Sequence, residues 1–217
     1  MAHPLRVPAT RPSVPCRRPQ QVKRIAAVVA LASAVALAGC STPPTDVKIS
    51  TYKVTGSTLS SLERSLRVHG PTVPGSDGRA FAAVETTFLH NFEPVEKNGR
   101  CRYSRNGRVG LRSEVILPEW RQRDRASPDL QAKWDVISQY AVIHETGHIK
   151  ISQKYARILE TAYKNASAPT CEALEAQMVA TIRPIAAAHV AEQEEFDRTD
   201  APRFQRYLRR YGYTAES

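Results

Sequence analysis

The chain of 217 residues has only four cysteines, and no two of them form a CxxC pair. Zinc sites built from cysteine depend on such pairs, so this scarcity argues against a cysteine-based metal centre. Acidic residues are absent from positions 1–39, which hold six of the 31 basic residues. Without that segment 25 basic and 21 acidic residues remain, and the formal net charge falls from +10 to +4. So small an excess does not indicate a nucleic-acid partner, and we expect none.

A long hydrophobic run is also missing, since a transmembrane helix needs about 20 consecutive apolar residues. The longest run spans residues 25–38, follows Lys23 and Arg24, and ends in small residues. This three-part pattern is typical of a secretory signal peptide. The run leads into Leu37-Ala38-Gly39-Cys40, which resembles the lipobox of bacterial lipoproteins, where the cysteine is lipidated and becomes the new N-terminus.

The sequence therefore predicts a lipoprotein signal peptide at residues 1–39, a lipid anchor on Cys40 and a short tether at 40–46. Ser41 follows the cysteine, at a position where aspartate often marks retention in the inner membrane of enteric bacteria. The resemblance thus implies a cell-envelope protein that is anchored to the outer membrane and faces the periplasm. The alternative is an ordinary signal peptide with a coincidental cysteine.

Two cysteines, Cys101 and Cys171, are left in the exported part of the chain, because Cys16 lies in the predicted signal peptide. In an oxidising compartment such a pair is expected to form a disulfide bond. Two separate buried thiols are the alternative.

The 178 residues after position 39 are enough for one domain with a hydrophobic core. Their first half is rich in strand patterns and turn signals, whereas the second half has helical periodicity. The turn signals are Asn98-Gly99 and Asn106-Gly107, and Pro118 is expected to close the β-rich half. The patterns predict strands at 47–55, 79–92, 101–105 and 108–118, the last two paired with each other, and a short helix that Ser57 or Thr58 caps.

The helical half begins at Ser127-Pro128-Asp129, which combines a capping serine, a proline in the first turn and a favourable acidic residue. An apolar stripe at helical spacing continues from there to about Tyr163. Thr170 is expected to cap a second long helix that runs to about Asp197 and is kinked or interrupted at Pro184. The predicted segments beyond the tether are a domain at 47–200 and a basic C-terminal segment at 201–217, in which residues 203–213 form a short surface helix.

His144-Glu145-Thr146-Gly147-His148 matches the HExxH pattern and lies inside the first predicted long helix. Positions i and i+4 of a helix lie on one face, so His144 and His148 can bind the same zinc ion. Glu145 then stands beside the metal, where it can deprotonate a zinc-bound water as a general base. The alternative is a pair of surface histidines with a neighbouring glutamate and no metal.

A third metal ligand is not part of this local pattern. Ile151 and Lys154 stand where the longer motif HExxHxxGxxH has Gly and His, which excludes the metzincin type. The ligand must then come from another element, most simply the second helix. An antiparallel hairpin of helices that turns near Asn165 brings His189 or Glu192 closest to the motif. The candidates on this helix are His189, Glu192, Glu194, Glu195, Asp197 and Asp200.

Several further positions occur in an order that resembles a known family. They are Tyr52-x-Val54-x-Gly56-Ser57-Thr58, Gly70-Pro71, Cys101, Leu117-Pro118-x-Trp120, Trp134, the HExxH motif and Cys171. Over residues 47–200 the chain is similar to the predicted secreted zinc-dependent proteases of bacteria, a domain of unknown function. The resemblance implies a zinc ligand at Asp197, since Phe196-Asp197 stands where the family has Tyr-Asp. The family's following His-Gly is absent, and the chain has Asp200-Ala201-Pro202 instead.

The sequence thus predicts a zincin-like α+β fold, in which a β-rich N-terminal half is followed by two long helices. The predicted function is a lipid-anchored zinc metallohydrolase, above all a peptidase that acts on a peptide, protein or cell-wall substrate. Glu145 is the predicted base, and His144, His148 and Asp197 are the predicted zinc ligands. The alternative is a non-catalytic zinc-binding or scaffold lipoprotein, which the missing His-Gly favours.

Overall fold

A computed structural model of the chain describes residues 43–73 and 78–211. The predicted signal peptide, the predicted lipid site Cys40 and the first part of the tether lie outside the described residues. Within the described ranges, no helix is both long enough and apolar enough to cross a membrane.

Strands dominate the first half of the described chain and helices the second half, which confirms the predicted α+β class. A 3₁₀ turn at Arg123–Arg125 lies between the two halves. The strands are β1 (Thr45–Val54), β2 (Ala83–His90), β3 (Pro94–Lys97), β4 (Arg100–Tyr103), β5 (Val109–Trp120) and β6 (Ser167–Ala168). The helices are α1 (Leu59–His69), α2 (Pro128–Asn165) and α3 (Cys171–Arg210).

The main sheet has the order β1-β5-β2, with β5 in the centre. β5 runs parallel to β1 and antiparallel to β2. Its buried side chains alternate along the strand, at Val109, Leu111, Ser113 and Val115, as expected when one face of a strand packs on a core. Among the described strands β2 has a single neighbour in this sheet, β5, and therefore forms one of its edges.

The predicted pairing of residues 101–105 with 108–118 is wrong. β4 pairs instead with β3 and β6, in a second sheet of order β3-β4-β6. β3 and β4 are joined by the predicted turn, where Asn98 and Gly99 both have positive φ angles of 53° and 68°. Two-residue hairpin turns require such angles, which asparagine and glycine tolerate best.

The predicted disulfide bond between Cys101 and Cys171 is confirmed. It joins β4 to the first turn of α3, with the two Cα atoms 5.0 Å apart. Cys101 also lies in register with Ala168 of β6. These contacts hold β4 beside the connection of the two long helices, which explains why it is not available to β5.

Pro118 does not end the strand as predicted, because β5 continues to Trp120. β2 accompanies β5 only as far as Ile116, so at Pro118 the strand has β1 as its one neighbour. Proline is tolerated at such an edge position, because no second strand is present there that would require a hydrogen bond from its backbone nitrogen. Trp120 then donates its Nε1–H to the carbonyl oxygen of Gly56 over 2.8 Å, which anchors the end of the strand.

Both long helices begin at their predicted caps. Ser127 accepts a hydrogen bond from the N–H of Leu130, and Thr170 accepts one from the N–H of Ala173. α2 extends to Asn165, close to the predicted end.

α3 is longer than predicted and runs past Asp197 to Arg210. The predicted short surface helix at 203–213 is therefore, up to Arg210, the last part of α3. Pro184 and Pro202 lie inside α3, and Pro184 does not begin a new helix. Each proline removes one backbone hydrogen bond, but α3 keeps side-chain contacts with α2 both between and beyond these positions.

Two groups of buried side chains hold the helices to the sheets. The first fixes the region where α2 turns into α3, and the second lies under α1 and the beginning of α2. Together they support α2 on both sides of its HExxH segment. The first group includes Cys101, Leu111, Ala156, Tyr163 and Leu174, and the second includes Val54, Leu62, Trp120, Leu130 and Trp134.

Candidate metal centre

α2 and α3 pack side by side in opposite directions. Near their connection the hydroxyl of Tyr155 donates to the carbonyl oxygen of Ala188 over 2.9 Å. Farther from the connection the hydroxyl of Tyr140 donates to Asp200 over 2.7 Å. The HExxH segment lies between these two contacts on α2 and therefore faces the later residues of α3.

Three side-chain atoms converge between the helices: Nε2 of His144, Nε2 of His148 and Oδ1 of Asp197. The two nitrogens are 3.1 Å apart, and Oδ1 of Asp197 lies 3.2 Å from the first and 2.9 Å from the second. Two ligand atoms bound at about 2.0–2.1 Å to one tetrahedral ion lie about 3.3 Å apart. The spacing therefore fits a single metal ion, and among the described residues this is the group of His, Cys, Asp and Glu that could hold one.

A carboxylate and an amide orient the two imidazoles. Nδ1 of His144 donates to Oδ2 of Asp200 over 2.8 Å, and Nδ1 of His148 donates to Oε1 of Gln193 over 2.6 Å. Because each Nδ1 carries the proton, each Nε2 presents a lone pair to the point where Asp197 also lies. Outer partners of this kind fix the tautomer and raise the basicity of metal-binding histidines.

Asp200 is itself held in place. Its side chain is 10% exposed, and the oxygen that binds His144 also accepts the hydroxyl proton of Tyr140. Desolvation, reinforced by this hydrogen bond to Asp200, raises the pKa of Tyr140 well above its ordinary value. Tyr140 therefore stays protonated and donates, so that Tyr140 and Asp200 form a fixed support for His144.

Gln193 connects His148 to a buried polar pair. Its Nε2 donates to the carbonyl oxygen of His148 over 3.2 Å and to Oγ of Ser152 over 3.1 Å, and it lies 2.9 Å from Nε2 of His189. Burial is the main cause that lowers the pKa of His189, so this ring is neutral, and its Nε2 accepts the hydroxyl proton of Ser152 over 3.1 Å. These contacts fix the amide with Oε1 toward His148.

The ring of Phe196 lies against both imidazoles of the centre. Its centroid is 5.1 Å from that of His144 and 4.9 Å from that of His148. This approach is possible because position 147 has no side chain: a Cβ atom there would come into hard contact with the Phe196 ring. Gly147 thus serves the close packing of α3 on the HExxH segment.

Gly147→Ala is expected to lower the free energy of unfolding by about 1–3 kcal/mol, the usual cost of overpacking a well-filled site. The displaced Phe196 ring also moves Asp197, so metal affinity falls in the same variant. Chemical denaturation and metal titration measure the two effects. In the double variant Gly147→Ala/Phe196→Ala the steric conflict is removed, so the two single effects are not additive. Additive effects would contradict this role of the glycine.

Glu145 is buried beside the three converging atoms. Its residue is 4% exposed, and burial is the main cause that raises its pKa to about 7, with His144 lowering and Asp197 raising it. Among the described residues no hydrogen bond to its carboxyl group is found. A carboxylate in this setting is able to take up a proton near neutral pH.

Two cavities meet at the centre, and both are lined by His144, Glu145 and Asp197. The polar cleft, of about 620 Å³, lies between these residues, the edge strand β2 and the middle of α3. The apolar pocket, of about 370 Å³, lies between residues 80–82, the part of α2 before the motif and the part of α3 after Asp197. The centre is therefore accessible to a ligand from two directions.

The structure brings Asp197, rather than the residues favoured by simple hairpin geometry, to the two histidines. His189 bonds to Ser152 and Gln193, and Glu192 accepts hydrogen bonds from Lys154 and Tyr155. α2 ends at Asn165 and α3 begins at Cys171. The turn between them is therefore centred a few residues after Asn165, the position predicted from the sequence. Helical side chains also point toward the N-terminus of their own helix, which shifts the meeting point on α3 to a later residue.

Two supporting residues were not recognised from the sequence. Gln193 is neutral and lies between two glutamates, and nothing in the local pattern marks it. Asp200 was among the candidate ligands, but it binds the outer nitrogen of His144 instead of pointing to the shared site. Its spacing of three residues from Asp197, almost one helical turn, is the signal that could have assigned both aspartates to one face.

Comparison with known proteins gives a family without an assigned activity. A family model described as "Bacterial protein of unknown function (DUF922)" matches residues 49–204. This match agrees with the expected membership in a bacterial domain of unknown function. No curated protein and no solved structure matches the chain.

Proposed function

The chain belongs to the DUF922 family of bacterial proteins of unknown function, and from its site we propose that it is a zinc-dependent hydrolase of the cell envelope that cleaves peptide bonds. The observation that carries this proposal is the convergence of His144, His148 and Asp197 beside the buried Glu145, at the meeting point of two cavities.

The donor set favours zinc. Two imidazole nitrogens and one carboxylate oxygen at tetrahedral spacing are typical ligands of this ion, and catalytic zinc sites have three protein ligands with one open position. His144, His148 and Asp197 would hold it. When bound, zinc acts as a Lewis acid that polarises a carbonyl group and lowers the pKa of coordinated water.

The other residues of the centre have separate tasks. Glu145 takes the proton of the attacking water at its carboxylate and returns it to the leaving amine, which is the role of a general base and acid. Asp200 and Gln193 hold the imidazoles so that their Nε2 atoms stay aimed at one point.

A peptide substrate is supported by the edge of the main sheet. β2 contributes Ala83, Val84, Glu85 and Thr86 to the polar cleft, and within residues 43–73 and 78–211 no other strand pairs with its outer edge. An extended peptide can add to such an edge through main-chain hydrogen bonds. The same cleft is lined by His144, His148 and Asp197, so a peptide bound there would lie beside the three metal-ligating side chains.

Accessibility distinguishes this centre from a structural zinc site. Structural sites are closed by four protein ligands, usually several of them cysteines. Here the described residues supply three ligands, and the group is reached through the polar cleft and the apolar pocket. We therefore favour the catalytic function over a scaffold that binds zinc.

The proposed location follows from the sequence around Cys40. A lipobox cysteine carries the lipid, and β1 begins at Thr45, five positions further along the chain. The catalytic domain is thereby held near the membrane surface, where envelope peptides, including those of the cell wall, are the accessible substrates. Radiolabelled palmitate incorporated into the wild type and not into Cys40→Ala tests the anchor independently of the activity.

The proposed activity is tested with the soluble domain that starts after Cys40. It is expected to bind about one zinc ion per chain and to hydrolyse peptides, to lose activity on chelation and to regain it with zinc. His144→Ala removes both zinc and activity, whereas His69→Ala, on α1, retains both. Zinc binding without hydrolysis of any peptide in a broad library would reject the enzymatic function, and absence of zinc would reject the metal centre as well.

Asp200→Asn is expected to reduce zinc affinity or activity by about 10–100-fold, the usual effect of removing an outer partner of a metal-binding histidine. The neutral amide no longer stabilises the Nδ1–H tautomer of His144 as strongly as the carboxylate does. Competition with a chromophoric chelator measures the affinity. Asp124→Asn, which changes a fully exposed aspartate, serves as the matched control and should leave the affinity unchanged.

A further inference from the structure

The apolar pocket beside the metal centre is distinct in chemistry from the polar cleft on the other side. Beyond the shared centre its lining residues are hydrophobic except for Tyr140 and Asp200, and four of them are alanines, of which Ala80 and Ala82 also line the polar cleft. The polar cleft by contrast includes Glu85, Thr86, Gln193 and Glu194. The two directions from the metal-ligating atoms therefore offer different environments to a bound chain.

Outside the shared centre of His144, Glu145 and Asp197, the polar side chains that line the apolar pocket are Tyr140 and Asp200, and they bond to each other. The hydroxyl of Tyr140 is turned to Asp200, which in turn binds His144. The pocket is also lined by the apolar side chains of Ile137, Ala141 and Phe204. A polar group placed there would lose its hydration without a hydrogen-bonding partner, whereas an apolar group would gain from burial.

The wall formed by residues 80–82 is held in place by contacts with side chains that do not line the pocket. The hydroxyl of Tyr52 donates to the carbonyl oxygen of Phe81 over 2.7 Å. The ring of Phe81 packs on Trp134, with the ring centroids 5.5 Å apart, and Trp134 packs on Trp120. The pocket is thus preformed, so a ligand does not need to order this wall when it binds.

From these observations we propose that the apolar pocket receives the side chain of the substrate residue adjacent to the cleaved bond, and that it selects aliphatic or aromatic residues. This proposal rests on the proposed peptidase function and specifies its substrate class. The volume of about 370 Å³ is at the lower end of ligand sites, about 300–1,000 Å³, which suits one side chain with its neighbouring backbone.

The size of the side chain at position 141 determines how much of the apolar pocket is available to a ligand. It is 8% exposed and lies one helical turn before Glu145, so a larger side chain at 141 extends into the space that the substrate residue would occupy. Val142, the next residue, is 46% exposed and lines neither cavity. The two positions form a matched pair for substitution by phenylalanine.

The first experiment compares hydrolysis of peptides that differ only in residues flanking the cleaved bond. The wild type should prefer leucine or phenylalanine over alanine at one flanking position by at least about 30-fold in kcat/KM, within the range of hydrophobic pockets. Ala141→Phe should reduce this ratio by at least about tenfold. Val142→Phe should keep it.

The second experiment does not depend on hydrolysis. ¹³C-labelled Ile137 methyl resonances are followed while N-acetyl-leucine amide or N-acetyl-alanine amide is added. The leucine compound should bind at least about tenfold more tightly than the alanine compound to the wild type and to Val142→Phe. Ala141→Phe should not show this difference in affinity.

The outcomes separate the two proposals. Hydrolysis without a side-chain preference, together with equal binding of the two amides, overturns the pocket assignment and leaves the peptidase function intact. Selective perturbation of Ile137 by the leucine compound without hydrolysis of any peptide overturns the peptidase function and leaves a binding pocket for apolar side chains. Equal binding in Ala141→Phe and wild type shows that the pocket is not the place of binding.

Discussion

Glu145→Gln is expected to lower kcat for peptide hydrolysis by about 10²–10⁴-fold, the usual contribution of a general base, with zinc content unchanged. The amide keeps the size and position of the side chain but cannot accept the proton of the attacking water. Stability should not suffer, because a buried carboxylate carries a desolvation cost that the neutral amide avoids. Stopped assays with a fluorogenic peptide measure the rate, and elemental analysis measures the bound zinc.

The control for this variant is Glu195→Gln, on α3. Glu195 is exposed and pairs with Arg198, and it lines neither the polar cleft nor the apolar pocket. Its substitution should leave the rate within a factor of about two, since exposed ion pairs contribute little. A Glu145→Gln variant as active as Glu195→Gln would remove Glu145 from the mechanism even if zinc is essential.

Replacement of both Cys101 and Cys171 by alanine is expected to lower the free energy of unfolding by about 4 kcal/mol. The bond links positions separated by 70 residues, so its loss restores a large loop-closure entropy to the unfolded chain. For a domain of this size the melting temperature should fall by about 10 °C. Calorimetry of the oxidised wild type and the double variant measures the difference.

Reduction of the wild type provides the matched control for the disulfide, because it breaks the same link without changing the side chains in the core. Reduced wild type and the double variant should melt within a few degrees of each other. Zinc affinity at a temperature where both are folded should stay near the wild-type value, since the contacts of Tyr155 with Ala188 and of Ser152 with His189, between Cys171 and the metal centre, remain. A loss of zinc binding in the folded double variant would contradict this independence.

Local signals in the sequence predicted much of the fold. Ser127 and Thr170 mark the helix starts, and Asn98-Gly99 marks the hairpin, because capping and turn geometry depend on a few neighbouring residues. The partners of β4 and β5 were predicted wrongly because strand pairing is decided by distant contacts. The alternation in β5 shows which face is buried, but it carries no information on the strand beside it.

The candidate site was predictable to a similar degree. His144, Glu145 and His148 stand out because their spacing equals one helical turn. Asp197 was chosen by resemblance, and the structure places its Oδ1 beside both imidazoles. The role of Gln193 depends on where a neutral amide falls in the packing of two helices, which a pattern within one helix does not specify.

α2 and α3 are covalently connected at one end only, so a change in the angle between them separates facing side chains in proportion to their distance from that end. His144 and Asp197 lie roughly 30–40 Å along their helices from this connection, so a change of about 3° in the angle between the helices would separate the ligand atoms by about 1.5–2 Å. Such a shift exceeds the tolerance of a zinc site. The contacts midway along the helices, between Tyr155 and Ala188 and between Ser152 and His189, therefore help to set the alignment of the ligand atoms, together with the contact between Tyr140 and Asp200 on the other side of the centre. A substitution there can disable the centre without touching it.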